Sequence, residues 1–381
     1  MSAAARRLLA PFAATRAGLL LAGLLGLHLL VSGLTVQKGN LVFHAPGPAA
    51  LEIWARWDAE WYLLIAEHGY RSAQLLPDGG VAYADGDATG FFPLYPLLIR
   101  GGMLLGLSPL LAGLLISNLA LLAAMRSLRE LVRADLGEET ADRSLWILLT
   151  FPTSLFLSAV YAESLMLAFL LGAIRLARRD RPFGAGFLGA LCALSRPTGV
   201  LVLIPLLDEA LVRRRPDRWR RTLARGLQAG GPPIAALSAY CLYCYSLFGS
   251  LVPFLWRQER WRGPTSGPWR AFLRYSESPQ VHGAHGSTID LVIALMLVAS
   301  IPLLYRRLRR SYALYATAAI LLPLCSTLWS FSRFAATIFP VHVLLAAFTA
   351  RSERLYAAYM SLALPLGGLF MALYAAWWWV G

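Results

Sequence analysis

The stretch Trp54-Ala55-Arg56-Trp57-Asp58-Ala59-Glu60-Trp61-Tyr62 sets two acids among bulky aromatic rings, and Ile65, His68, Gly69 and Tyr70 follow it. A carboxylate wedged between rings near a membrane surface is partly desolvated. That raises its pKa and makes it a better general base. Asp58 is therefore the candidate base, with Glu60 beside it. A purely structural reading competes. Trp54, Trp57, Trp61 and Ile65 recur at spacings of three and four, which predicts one face of an amphipathic helix lying at the bilayer surface. Trp and Tyr are enriched there. That reading accounts for the rings and leaves Asp58 without a role.

The elements that must hold these residues are membrane helices. The chain has 381 residues, 57% hydrophobic and only 15% charged, against roughly 25% charged in a soluble domain. Its mean hydropathy is +0.56. Apolar runs of the length a bilayer requires, about 20 residues, recur throughout. The net charge of +14 invites a nucleic-acid partner, but 24 of the 35 basic residues fall in six clusters between apolar runs. Cytoplasmic loops have that pattern, so no nucleic acid is expected. Cys192, Cys241, Cys244 and Cys325 all sit in apolar segments and read as packed thiols; the Cys241–Cys244 pair has no second pair to complete a metal site.

The clusters are Arg6/Arg7/Arg16, Arg126/Arg129/Arg133/Arg143, Arg175/Arg178/Arg179/Arg181, Arg213 to Arg225, Arg306/Arg307/Arg309/Arg310 and Arg351/Arg354. Placing all six on the cytoplasmic side gives an all-α polytopic membrane protein of about 11 transmembrane helices (10–13). Its N-terminus lies inside and its C-terminus outside. The spans are Gly18–Val36 (retained rather than cleaved), Pro109–Met125, Leu145–Val160, Ala162–Leu176, Phe183–Leu194, Pro197–Leu211, Gly226–Phe248, Ile289–Tyr305, Tyr312–Trp329, Phe334–Phe348 and Leu355–Val380. Phe91–Leu107, interrupted by Pro93, Pro96, Arg100, Gly101 and Gly102, reads as interfacial or re-entrant. The whole chain, 1–381, is then one membrane domain with two long outer loops, 37–92 with interfacial helices and 249–288. The first carries seven acids (Glu52, Asp58, Glu60, Glu67, Asp78, Asp85, Asp87) against three bases (Lys38, Arg56, Arg71), a charge near −4 in a basic protein.

Trp57-Asp58 through Tyr62, Ile65-Ala66 and Gly69-Tyr70 resembles the W-D-x-x-x-Y-x-x-I-A-x-x-G-Y signature of PIG-V-like mannosyltransferases. These are relatives of the enzyme that adds the second mannose to GPI anchors. Further matches follow in order: Phe91-Phe92-Pro93-Leu94-Tyr95-Pro96, Phe151-Pro152-Thr153-Ser154, Ser158 to Ser164 with Tyr161 and Glu163, and Ser195-Arg196-Pro197-Thr198-Gly199. The weaker Phe248-Gly249 and Ser332-Arg333-Phe334 end the resemblance, which covers roughly 54–340. The family is similar to GT-C glycosyltransferases, which implies a polyprenyl-phosphate sugar donor and paired acids in the first outer loop. Asp58-Ala59-Glu60 resembles that pair. The resemblance implies that Asp58 deprotonates the acceptor hydroxyl while the donor phosphate leaves. That inverts the anomeric centre, so a β-linked donor gives an α-mannoside.

Under this topology Arg196 and Arg333 face outside, against the positive-inside trend. Arginine can grip a donor phosphate with two parallel hydrogen bonds and stabilise it as it leaves. Snorkelling to headgroups, or an Arg196–Glu163 salt bridge, is the plainer alternative. Glu163, beside Tyr161 at the outer end of its helix, is either a site residue or a structural hydrogen-bond partner. Trp57, Tyr62, Tyr161, Trp256, Arg257, Arg260, His282 and His285 complete the candidate substrate contacts. The second outer loop could equally be a headgroup-facing amphipathic stretch. His282 and His285 make a weak metal pair, and neither a metal between Asp58 and Glu60 nor any other cofactor is expected. The partners are then a lipid-linked donor and a lipid or glycan acceptor, with the chain a monomer in a bacterial inner membrane. Bacteria make no GPI, so the acceptor differs from that of the animal enzyme. A transporter or flippase of lipid-linked sugar is the rival; it would use the same arginines and aromatics without needing an acidic first loop, and no internal repeat supports it.

Overall fold

A computed structural model describes residues 3–30, 47–70, 74–75, 81–82, 87–212, 219–279 and 287–381. In these residues the chain is almost wholly helical. A long first helix, α1 (Ala3–Leu29), leads to α2 (Ala49–Glu52), α3 (Ala59–His68) and a two-residue antiparallel ladder, β1 (Gln74–Leu75) with β2 (Val81–Ala82). After a 3₁₀ turn at Asp87–Gly90 come α4 (Leu94–Leu104), α5 (Pro109–Leu136), α6 (Glu138–Thr150), α7 (Glu163–Arg178), α8 (Pro182–Ser195) and α9 (Leu203–Val212). The chain continues with α10 (Trp219–Phe248), α11 (Pro253–Arg262), α12 (Arg270–Glu277), α13 (Thr288–Arg307), α14 (Arg310–Leu324), α15 (Phe331–Ala335), α16 (Phe339–Thr349) and α17 (Glu353–Ala375).

Four of these helices are long and apolar enough to cross a bilayer by length and composition: Ala5–Leu29, Pro109–Leu136, Thr288–Arg307 and Glu353–Ala375. The pair α10–α11, bent by 85°, makes a fifth if counted as one span. Gly249 lies at that bend with φ +67°, a conformation that costs glycine little. Most of the remaining expected spans coincide with shorter helices, α7, α8, α9, α14 and α16. Helix α4 has 11 residues, about 16 Å, and is too short to cross alone. Helices approach closely where side chains vanish: a Cβ on Gly186 of α8 would stand 2.1 Å from the Gln228 carbonyl oxygen of α10. Small residues at crossings of this kind let membrane helices pack backbone to backbone.

Among the described residues, members of five of the basic clusters pair with acids near helix ends. Arg7 pairs with Asp142 (2.6 Å) and Glu138 (3.3 Å), and Arg129 reaches the same two acids. Arg175 and Arg179 hold Glu130, Arg178 holds Asp135, Arg225 holds Asp180, Arg309 holds Glu209 and Arg143 holds Glu353. Arg178 closes α7, and Glu163 opens it, so Glu163 lies about 23 Å away at the other end.

Three expectations change. Helix α1 starts well before Gly18, and Arg16 lies within it, buried, rather than in a loop. Its guanidinium donates to the Leu149 carbonyl (2.8 Å), the Ser154 carbonyl (3.1 Å) and the Ser158 hydroxyl (3.0 Å). These groups lie where α6 ends and irregular backbone begins, so the arginine satisfies carbonyls that no helix turn can reach. The span expected over Leu145–Val160 is not one helix: α6 stops at Thr150, before Pro152, and a 3₁₀ turn follows at Ser154–Leu157. Trp54, Trp57, Trp61 and Ile65 do not share a helix face either, because α3 begins only at Ala59. Trp54 is buried and Trp57 sits in a turn at φ +58°. The rings serve internal packing rather than a bilayer-facing stripe.

Candidate active site

The turn before α3 is over-determined. The hydroxyls of Tyr161 (2.9 Å) and Tyr374 (3.0 Å) both donate to the Arg56 carbonyl, and the Arg56 amide donates back to the Tyr374 oxygen (3.1 Å). The Arg56 guanidinium donates to the Ala375 carbonyl and lies 4.7 Å from the Trp377 ring centroid. Burial lowers its pKa from the usual value, while Tyr374, Glu52 and Glu60 act in the opposite sense. These contacts hold Trp57 in the left-handed region, a strained conformation for a bulky residue and one that needs such support. Asp58 follows at the cap position of α3, yet its carboxylate makes no cap hydrogen bond to that helix.

It is spent instead on Arg333. Arg333 Nη1 donates to Asp58 Oδ2 at 2.5 Å and Nε donates to Glu163 Oε1 at 2.5 Å. Glu163 also pairs with Arg196. Two acids and two arginines thus alternate in one chain, Asp58–Arg333–Glu163–Arg196, drawn from four separate segments. Glu163 is wholly buried, Arg333 and Arg196 nearly so, and Asp58 is 34% exposed. Glu163 opens α7, where the helix dipole favours an anion. Its Oε2 is buried without a hydrogen-bond partner. Arg196 precedes Pro197 and is extended, as a residue before proline tends to be. Arg333 rides on the short α15, which follows Ser330 in a second left-handed turn at φ +64°. That turn is held by Thr153, whose hydroxyl donates to the Ser332 carbonyl (2.8 Å), and by Asp290, which accepts the Ser332 amide (2.7 Å).

Aromatic rings wall the cluster. The Arg333 guanidinium lies 4.5 Å from the Tyr161 centroid, 5.2 Å from Phe156 and 5.7 Å from Trp379. Trp57 packs edge-on against Trp377 and Trp379. Tyr62 is buried within electrostatic reach of all four charged groups. Burial pushes its phenol above the usual range, so it stays a neutral hydroxyl. The expectation of an Asp58 desolvated by rings is therefore corrected. The carboxylate is a third exposed, and its close neighbour is a cation.

The other candidates are placed apart. Glu60 is buried in the first turn of α3, two residues along the chain from Asp58, and acts electrostatically on Arg56. Among the described residues no group of three or more His, Cys, Asp or Glu is gathered as a metal would need. In α11, Arg257 stacks on Trp261 (4.4 Å), which packs against Gly90 and Phe91, while Trp256 is 60% exposed. Arg260 lies on the same helix; His282 and His285 lie outside the described residues. Sequence reasoning missed Phe156, Tyr374, Trp377 and Trp379. The run of three tryptophans expected at an outer helix end was the available signal. It also missed Arg262, whose guanidinium donates to the carbonyls of Trp329, Thr327 and Pro323 and docks the second outer loop onto the turn before α15.

The fold is a helical bundle with a charged, ring-walled cluster at one end. The chain is similar in fold to ArnT from Cupriavidus metallidurans in the apo state (TM-score 0.51, 14% identity, covering 94% of this chain and 62% of that one). The crystal structure of ArnT bound to undecaprenyl phosphate gives a TM-score of 0.49 at 16% identity, over 83% of this chain and 58% of that one. The resemblance to PIG-V-like enzymes is borne out over residues 48–207, which match the family model described as Mannosyltransferase (PIG-V). GPI alpha-1,6-mannosyltransferase 2 of Rattus norvegicus is 32% identical over 160 residues, and that of Mus musculus 34% over 162. Each alignment covers 39% of this chain, and the matched stretch spans 30% of the relative's length. The match holds Asp58, Tyr62, Tyr161, Glu163 and Arg196 but ends before Arg333, which joins them through geometry alone.

Proposed function

We propose that the protein is an inverting membrane glycosyltransferase. It moves a sugar, mannose, from a polyprenyl-phosphate donor to a lipid or glycan acceptor at the outer face of a bacterial inner membrane. The observation that carries this reading is the cluster itself: an accessible carboxylate, Asp58, paired with the buried Arg333, which Glu163 links to the buried Arg196. The resemblance over residues 48–207 supports the sugar, and the fold it shares with ArnT, a protein seen with undecaprenyl phosphate, supports the donor class.

In this reading the donor phosphate sits against Arg333 and Arg196. Asp58 takes the proton of the acceptor hydroxyl as its oxygen attacks the anomeric carbon. The carbon–oxygen bond to phosphate breaks from the opposite face, its electrons go to the phosphate, and the arginines stabilise the charge that develops there. One displacement inverts the centre, so a β-linked donor gives an α-linked product. Tyr62, Tyr161 and the α11 residues Arg257 and Arg260 shape the surroundings, and no metal is invoked. All four charged groups come from one chain, so a monomer suffices.

The test is transfer by purified protein supplied with labelled polyprenyl-phosphate mannose and a bacterial lipid extract as acceptor. The expected product is an α-linked mannoside, with none formed from a nucleotide-mannose donor. Transfer from the nucleotide donor, or flipping of the lipid with no turnover, contradicts the proposal; the second outcome favours a transporter.

A further inference from the structure

The cluster poses an electrostatic problem that its own geometry answers. Asp58 cannot act as a base while it is the counter-ion of Arg333. Arg333 in turn cannot stay buried with its charge only half met, because an unpaired buried charge is costly. At rest two arginines face two carboxylates, and the site is neutral. A sugar-bearing phosphodiester adds one negative charge and needs the donors Arg333 already commits. One carboxylate has to yield, and the two differ. Glu163 is wholly buried and bridges both arginines, whereas Asp58 is 34% exposed, touches one arginine and sits on a strained turn.

We infer that the donor phosphate displaces Asp58 from Arg333, so that Asp58 is a resting stand-in for the phosphate and donor binding itself releases the base. This rests on the function proposed above. With phosphate present, three anions face two cations, and the site carries one excess negative charge. Asp58, parted from Arg333, has its carboxylate oxygens free to accept a proton at the moment the acceptor hydroxyl is to be deprotonated. Moving that proton from the acceptor oxygen to Asp58 leaves the net charge at −1 and shifts the negative charge that Asp58 gives up onto the departing phosphate, where the two arginines face it. Glu163 does not move; it is a positioning residue that keeps the two arginines side by side whichever anion they hold.

A competitor that is removed leaves tighter binding behind. Binding of undecaprenyl phosphate to the purified protein, measured without any sugar transfer, is the readout. Asp58→Asn, which keeps the shape and loses the charge, is expected to bind at least about tenfold tighter than wild type. Arg333→Gln, made together with Asp58→Asn so that no carboxylate is orphaned, is expected to abolish the gain. Equal or weaker binding by Asp58→Asn overturns the inference even if wild-type transfer is intact. An equal gain for phosphatidic acid also overturns it, because the arginines would then read any anionic headgroup. A tenfold gain in a protein that transfers no sugar leaves the exchange standing and removes the glycosyltransferase reading.

Discussion

The two ends of the bundle use the same residue types for opposite purposes. At the basic end, some arginines pair with acids in partly exposed positions, such as Arg7 with Glu138 at 49% and 53% exposure and Arg225 with Asp180 at 33% and 45%, while others, such as Arg178 with Asp135, are more enclosed. Exposed pairs of this kind contribute about 0–1 kcal/mol each, and water can replace either partner. At the other end Arg333 is 5% exposed and Glu163 is 0% exposed. Removing one member of such a buried pair costs about 3–5 kcal/mol because the other charge is stranded. Pairs such as Arg225 with Asp180 at the basic end are open to water. The opposite end holds charges that are costly to bury, and such charges mark function.

Mutations should sharpen that contrast. Arg333→Ala should have the largest effect, with transfer falling below detection and a clear drop in thermal midpoint in detergent, because Glu163 and Asp58 both lose their cation. Asp58→Asn should cost about 10²–10⁴-fold in transfer, the usual size of a general-base contribution. Its thermal midpoint should stay close to wild type, since the residue is partly exposed. Trp379→Ala should be intermediate, lowering transfer by about 5- to 30-fold, in line with roughly 1–2 kcal/mol for a partly desolvated cation–ring contact. Arg225→Ala at the basic end should change neither transfer nor midpoint measurably, within about 0.5 kcal/mol. An Arg225→Ala effect as large as that of Asp58→Asn would erase the distinction between the ends.

Parts of this were legible in the sequence. Helix positions could be read because apolar runs between basic clusters reflect the bilayer directly, and Asp58 and Glu163 stood out as acids in apolar, ring-rich settings. The link between Asp58 and Arg333 was not legible, because the two lie 275 residues apart and meet only through the packing of α15 against the turn before α3. The spacing of Trp54, Trp57 and Trp61 matched a helix by coincidence, since the left-handed Trp57 breaks the periodicity that the spacing implies. Arg16 looked like a flanking charge because sequence cannot reveal the bare carbonyls at Leu149 and Ser154 that it serves.

The central claim is that Asp58 is the base of a sugar transfer seated on Arg333. The most direct measurement is single-turnover transfer from polyprenyl-phosphate mannose by wild type and Asp58→Asn, with donor saturating in both. The account predicts normal donor occupancy in Asp58→Asn with the transfer step slowed at least about 100-fold. A transfer rate equal to wild type at full occupancy would contradict it.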